Sequence, residues 1–161
     1  MKNPITDPLA FWTNGGPGCS GMLGFFTEQG PFRPNSDMSL SFNNYAWNKV
    51  ANMVFIESPC GVGFSKSSVQ KDYQTDDSHT AIDNYEVIQE FLQRFPEYSS
   101  NPLFISSESY GGHYLPTWAK QIVQQNSYLL QNNFTSSTYP RVLNFKGFAV
   151  GNPFTVHFSE S

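Results

Sequence analysis

The stretch Ile105-Ser106-Ser107-Glu108-Ser109-Tyr110-Gly111-Gly112 sets a serine between a short apolar run, Pro102-Leu103-Phe104-Ile105, and two glycines. A strand, then a serine with small residues two positions before and two after it, then a helix is the setting of a nucleophile elbow. The turn is sharp, which is why both flanking positions must be small. The usual form is G-x-S-x-G; here Ser107 holds the first position and Gly111, backed by Gly112, the second. A helix beginning just after Ser109 would turn its free N–H groups toward the reacting centre. The same residues would also suit an ordinary strand-to-helix turn.

A second stretch, Trp12-Thr13-Asn14-Gly15-Gly16-Pro17-Gly18-Cys19-Ser20-Gly21, follows another apolar run. Glycines permit close backbone approach and expose N–H groups, as an oxyanion hole requires. A tight turn or a phosphate loop would use similar residues, but G-K-[ST] and G-x-G-x-x-G are both missing, which weakens the phosphate reading. Two carboxyls complete the set. Glu108 adjoins the serine, where an ionised carboxylate would repel an anionic substrate and a protonated one could donate a hydrogen bond to it. Glu28 lies among aromatics in Gly24-Phe25-Phe26-Thr27-Glu28-Gln29-Gly30-Pro31. It could share that proton, because two touching carboxyls do not both ionise cheaply and one pKa rises. Taken alone, Glu28 reads as a solvated helix residue.

These residues need a scaffold. Four apolar runs read as buried strands: Leu9–Trp12, Met53–Ile56, Leu103–Ile105 and Phe145–Val150. Between the second and third, Ala81, Ile82, Tyr85, Ile88, Phe91, Leu92 and Phe95 recur at helical steps, with Asp76 and Asp77 at the positive helix end and Pro96 as the stop. Another helix is expected from about Tyr110 to Leu130, with Pro116 near its first turns. Residues 126–140, rich in Asn, Ser, Thr and Gln, read as a surface loop. Alternation of strands and helices predicts a mostly parallel sheet with crossover helices, an α/β fold. The insert from Gly15 to Val50 is expected to be a long functional loop.

The totals narrow the function classes. A chain of 161 residues with 39% hydrophobic, 16% aromatic and only 14% charged residues can bury a sizeable core. A net charge of −4 argues against nucleic acid or anionic lipid as the main partner. No apolar run reaches the length of a membrane span, and Met1 to Pro8 lack the apolar region of a signal peptide. The two cysteines, Cys19 and Cys60, make no disulfide framework, and His79, His113 and His157 are isolated, so neither a metal nor another cofactor is expected. Asn133-Phe134-Thr135 is an N-glycosylation sequon, with Asn133 as the acceptor.

The segments WTNGGPGCSG, FFTEQGPFR, NMVFIESPCGVGFSKS, FPEY, FISSESYGGHYLP and FKGFAVGNP together resemble the serine carboxypeptidases, peptidase family S10 of the α/β-hydrolase fold. They occur in that family's order and spacing and cover most of the chain. The resemblance implies hydrolysis of the C-terminal bond of a peptide or protein, an acidic working pH, and a lysosomal, vacuolar or secreted setting. It implies that Ser109 is the nucleophile and that the backbone N–H groups of Gly16 and Tyr110 form the oxyanion hole. It assigns the substrate's terminal carboxylate to Asn14, the N–H of Gly15, and Glu108, with Glu28 bonded to Glu108.

The triad order of this fold is Ser, acid, His. After Ser109 the chain contains no Asp, one Glu (Glu160), and the histidines His113 and His157. His113 falls in the family's GHYLP segment, where it is scaffold; His157 precedes Glu160, the wrong order. Residues 1–161 are therefore expected to be the N-terminal part of a carboxypeptidase domain without its triad Asp and His. Such a part would leave a sheet edge unpaired. Within the family the cysteine matching Cys19 commonly pairs downstream, while Cys60 stands where a small residue or valine is usual; read from the residues alone, the two could also pair with each other or stay free. Two further functional readings stand beside the peptidase: the acyltransferase branch of the family, and a non-catalytic fragment that complements a second chain.

Overall fold

A computed structural model describes residues 3–155. The strands of its main sheet are β1 (Leu9–Trp12), β4 (Asn52–Phe55), β5 (Leu103–Glu108) and β6 (Phe145–Gly151). They lie in the order β4-β1-β5-β6, every pair parallel. The crossovers are the helices α2 (Asp77–Arg94) and α3 (Gly111–Gln131). Alternation along β1 separates two sides. Leu9 and Phe11 join Ala81, Tyr85, Ile88 and Leu92 of α2 and Leu115, Trp118 and Ile122 of α3 in the main core. Trp12 instead meets Trp47 edge to face at 5.9 Å.

Helix α2 starts where its carboxylates predict: Asp76 is the N-cap and accepts from the His79 N–H at 2.8 Å. Helix α3 (Gly111–Gln131) agrees with the expected span, about Tyr110 to Leu130, to within one residue at each end. Residues 126–131 are its last turns, not loop. Leu129 is buried there, and Asn126 satisfies its polar side chain on the main chain of Leu143, at 2.8 Å as donor and 2.8 Å as acceptor. Burial and paired hydrogen bonds override the loop-like composition. Strand β5 is also longer than its apolar run, and this carries the backbone directly to Ser109.

The insert after β1 is not one loop. It holds a short helix, α1 (Gly21–Thr27), and a two-stranded antiparallel ribbon of β2 (Phe32–Pro34) and β3 (Leu40–Phe42). Ser20 caps α1, its hydroxyl accepting from the Met22 N–H. Phe25 of α1 packs edge to face on Phe55 of β4 at 5.1 Å. Among the described residues β4 and β6 are the outer strands, each with one unpaired edge, and Cys19 and Cys60 are not in a disulfide.

Candidate active site

Strand β5 ends and α3 begins within three residues, and Ser109 sits between them in the left-handed region, φ 51°. An L-residue held there is strained, and such strain persists only where the surroundings over-determine it. They do so here. Ser109 N–H donates to the Gly151 carbonyl at 2.9 Å, and its own carbonyl accepts from Phe154 at 2.7 Å and Gly112 at 3.0 Å. Small flanks are required: a Cβ on Gly111 would lie 2.2 Å from Ser107 Oγ, and one on Gly112 2.3 Å from the Phe154 carbonyl oxygen. Ser107 is buried while Ser109 is exposed, so the turn presents one hydroxyl and hides the other.

The glycine loop leans on this turn. A Cβ on Gly15 would meet the Glu108 carbonyl oxygen at 2.5 Å, Tyr110 N at 2.7 Å and Ser109 Cβ at 3.2 Å. Gly16 has φ +116°, a conformation L side chains rarely adopt. Among the described residues the N–H groups of Gly15, Gly16 and Tyr110 have no hydrogen-bond acceptor. The Tyr110 ring is held away from solvent motion by stacking on His113 at 4.8 Å and by its hydroxyl, which donates to Asp77 at 3.2 Å.

Asn14 is 1% exposed and fully engaged. Its Oδ1 accepts from Trp12 Nε1 at 2.7 Å and Gly24 N–H at 3.2 Å, which leaves Nδ2 to donate to Glu108 Oε1 at 3.0 Å. Two donors on one oxygen fix which way the amide points. Glu28 is the C-cap of α1, and the Glu108 carboxyl is the neighbouring acid that acts on its titration. Burial raises the Glu28 pKa above its ordinary 4.5; the Glu108 carboxyl raises it further, and Arg33 opposes them. A carboxyl beside another carboxylate is harder to ionise, so this neighbourhood favours the acid form of Glu28.

A family profile described as serine carboxypeptidase matches residues 1–161. The chain belongs to the serine carboxypeptidase family. It is 46% identical over 157 residues to serine carboxypeptidase-like 20 of Arabidopsis thaliana, covering 94% of this chain and 30% of that one. It is 44% identical over 153 residues to the lysosomal protective protein of Mus musculus, covering 94% and 29%. Among solved structures, Kex1(delta)p, a prohormone-processing carboxypeptidase from Saccharomyces cerevisiae, superposes with a TM-score of 0.79 at 30% identity, covering 96% of this chain and 32% of that one. The chain thus spans about 30% of the length of the curated relatives it matches. The sheet and its helices are those of the N-terminal part of the α/β-hydrolase fold.

In this chain the residues singled out by sequence fall in two adjoining groups. Gly15 packs directly on Ser109 and Tyr110, with Gly16 the next residue of that loop; Asn14, Glu28 and Glu108 form the carboxyl cluster. Asn133 is not among them. It lies exposed past the far end of α3, a 21-residue helix and so ~30 Å long. His157 and Glu160 lie outside the described residues. Among the described residues no group of three or more His, Cys, Asp or Glu could hold a metal ion, and no helix is long and apolar enough to cross a membrane.

Sequence reasoning missed the supports. Trp12 and Gly24 orient Asn14. Arg33 and Asn43 both donate to the Glu28 carbonyl, and Asp77 takes the Tyr110 hydroxyl. Arg33 stood in plain view inside FFTEQGPFR, five residues from Glu28, and was the one signal available. Glu57 is another missed residue: it accepts from Ser20 Oγ and from the N–H of Met22 and Phe64, tying the start of α1 to the loop after β4.

Proposed function

We propose that this chain is the part of a serine-type carboxypeptidase that presents the nucleophile, the oxyanion donors and the receptor for a peptide's terminal carboxylate. Ser109 Oγ attacks the carbonyl carbon of the last peptide bond. The oxygen of that carbonyl becomes an anion and takes the N–H groups of Gly16 and Tyr110, which have no competing acceptor among the described residues. Bond cleavage releases the C-terminal residue and leaves an acyl-serine, which water then hydrolyses. In this reading the base that takes the Ser109 proton, and the acid that orients the base, come from sequence outside residues 3–155. The substrates are peptide and protein C-termini, and the setting is lysosomal, vacuolar or secreted, in keeping with the mouse relative's name.

The observation that carries the reading is the Asn14–Glu108–Glu28 chain beside Ser109. A protonated carboxyl pair donates to a carboxylate, whereas a doubly ionised pair repels it. From the sequence the proton belongs on Glu108, with Glu28 able to share it; the raised pKa falls on Glu28. Recognition is therefore strongest at acid pH and weakens as pH rises above 4.5 through the raised Glu28 titration. An acyltransferase has no need to hold a free peptide carboxylate, so the same three residues favour peptide hydrolysis over acyl transfer.

The test is calorimetric binding of an N-acetylated dipeptide and of its C-terminal amide to the chain. The free acid should bind more tightly at acid pH and lose that advantage toward neutrality. Equal affinity of acid and amide at acid pH would sink the reading.

A further inference from the structure

The ribbon β2–β3 holds a cation against the main chain of Glu28. Arg33, half-buried on β2 and paired across the ribbon with Ser41, donates from its guanidinium to the main-chain carbonyl of Glu28. Asn43, just past β3 and buried, donates to the same carbonyl at 3.1 Å and to the Gly30 carbonyl at 2.9 Å. The Trp47 N–H then donates to the Gln29 carbonyl at 3.0 Å. Three segments of the insert therefore converge on one turn, residues 28–30, and fix where the Glu28 side chain leaves the backbone. The charges that face Glu28 come from two elements: Glu108 at the end of β5 and Arg33 on β2. Strand β4, also packed on α1, carries no ionisable residue, and α1 itself carries none.

We propose that Arg33 sets the pH range in which this site accepts a terminal carboxylate: its guanidinium, pinned to the main chain of Glu28, keeps a positive charge beside the Glu28–Glu108 pair. The proposal rests on reading that pair as the carboxylate receptor. Burial and the Glu108 charge both favour the protonated pair; a fixed cation favours the ionised one. Arg33 is thus the counterweight that lets the pair give up its proton as pH rises. Without it the pair stays protonated further toward neutral pH, and recognition of a terminal carboxylate persists there. Arginine suits the task because it stays charged throughout and its fork can bond the carbonyl while the charge faces the carboxyl. Arg33 acts through Glu28 and is a positioning residue, not a catalytic one.

Three variants of the chain test this: Arg33→Gln and Arg33→Met remove the charge, and Arg33→Lys keeps it. Two readouts are taken from acid to neutral pH. One is the midpoint of the Glu28 side-chain carboxyl followed by carbon NMR. The other is the ratio of affinities for the N-acetylated dipeptide and its amide. In the wild type that ratio should fall about tenfold per pH unit above the midpoint, one proton being linked to binding. In Arg33→Gln and Arg33→Met both the midpoint and the fall of the ratio should move together to higher pH; Arg33→Lys should leave both near the wild-type position. An unmoved midpoint in the neutral variants overturns the proposal, as does an equal shift in Arg33→Lys. A merely structural Arg33 would lower affinity at every pH without moving the midpoint. Should one neutral variant fail to fold, the other still decides. If the wild type itself binds acid and amide alike, the receptor reading fails instead, and the Glu28 midpoint still reports whether Arg33 controls its proton.

Discussion

Ser109 and Glu108 are neighbours in the chain, yet the elbow and the proposed carboxylate receptor on either side of that bond are built differently. The elbow is made by one run of residues. Strand β5, a left-handed serine, two glycines and the first turn of α3 come from a single stretch, with Gly111 packed closely on the Ser107 side chain. The proposed receptor draws on three stretches, at residues 14, 28 and 108, with Asn14 bonded to Glu108 and the Glu108 carboxyl helping to raise the Glu28 pKa. One depends on space and the other on charge and orientation. They should therefore fail under different insults.

The largest effect should come from filling the elbow. Gly111→Ala puts a methyl 2.2 Å from Ser107 Oγ and 2.4 Å from Ser107 Cβ, and should cost ~3 kcal/mol by denaturant unfolding. Adding Ser107→Gly to that variant should recover a large part of the loss, because the obstruction is local. Absence of any rescue would break the view that this turn is governed by its own residues. Next, Asn14→Ala should cost ~2 kcal/mol, since it strands the Trp12 and Gly24 donors and the Glu108 acceptor. It should also abolish preference for a peptide acid while leaving the Gly111→Ala penalty unchanged when the two are combined, as expected of independent sites.

A smaller effect tests the strain at the elbow. Ser109→Gly removes the Cβ from a left-handed residue and should stabilise the fold by ~0.5–1 kcal/mol, measured as a higher denaturant midpoint. The finest contrast is between two carboxyls. Folding raises Glu28 above 4.5, so the folded chain binds more protons there: its contribution is fully present below 4.5 and falls as pH rises through the raised value. Glu57 is the reverse. Burial would push it up, but hydrogen bonds from Ser20 and from the N–H groups of Phe64, Met22 and Gly21 outweigh that and lower it. Its contribution is present above 4.5 and is lost as pH falls through the lowered value. Stability–pH curves should show Glu28→Gln flattening the neutral side and Glu57→Gln the acid side.

The same contrast explains what could be read from the sequence. The elbow was legible because its signal is local: an apolar run, small flanks, then helix periodicity. Even so, Leu103–Ile105 underestimated β5, since Ser106 and Ser107 extend it without apolar character; the Ser106 hydroxyl donates to the Phe11 carbonyl at 3.1 Å inside the sheet. Helix α1 was hidden by its own glycines. Gly21 and Gly24 weaken helical propensity, but Cβ atoms there would lie 2.1 Å from the Ile56 carbonyl oxygen and 2.4 Å from Trp12 Nε1. Close packing selected them, and packing partners are invisible in one dimension. Residues 126–131 misled for a related reason: the Asn126 side chain is satisfied by the main chain of Leu143, and Leu129 is buried. The location of Glu28 beside Glu108 was available only through the family resemblance, because no spacing links positions eighty residues apart.

The indole of Trp12 gives the receptor an optical handle. Its N–H is bonded to the amide oxygen of Asn14 at 2.7 Å, in the buried layer directly behind the proposed ligand contact, with Trp47 edge-on at 5.9 Å. A ligand that draws Asn14 forward lengthens that bond and shifts the emission of the ring. The protein would then signal occupancy by its own fluorescence, without a label and without turnover.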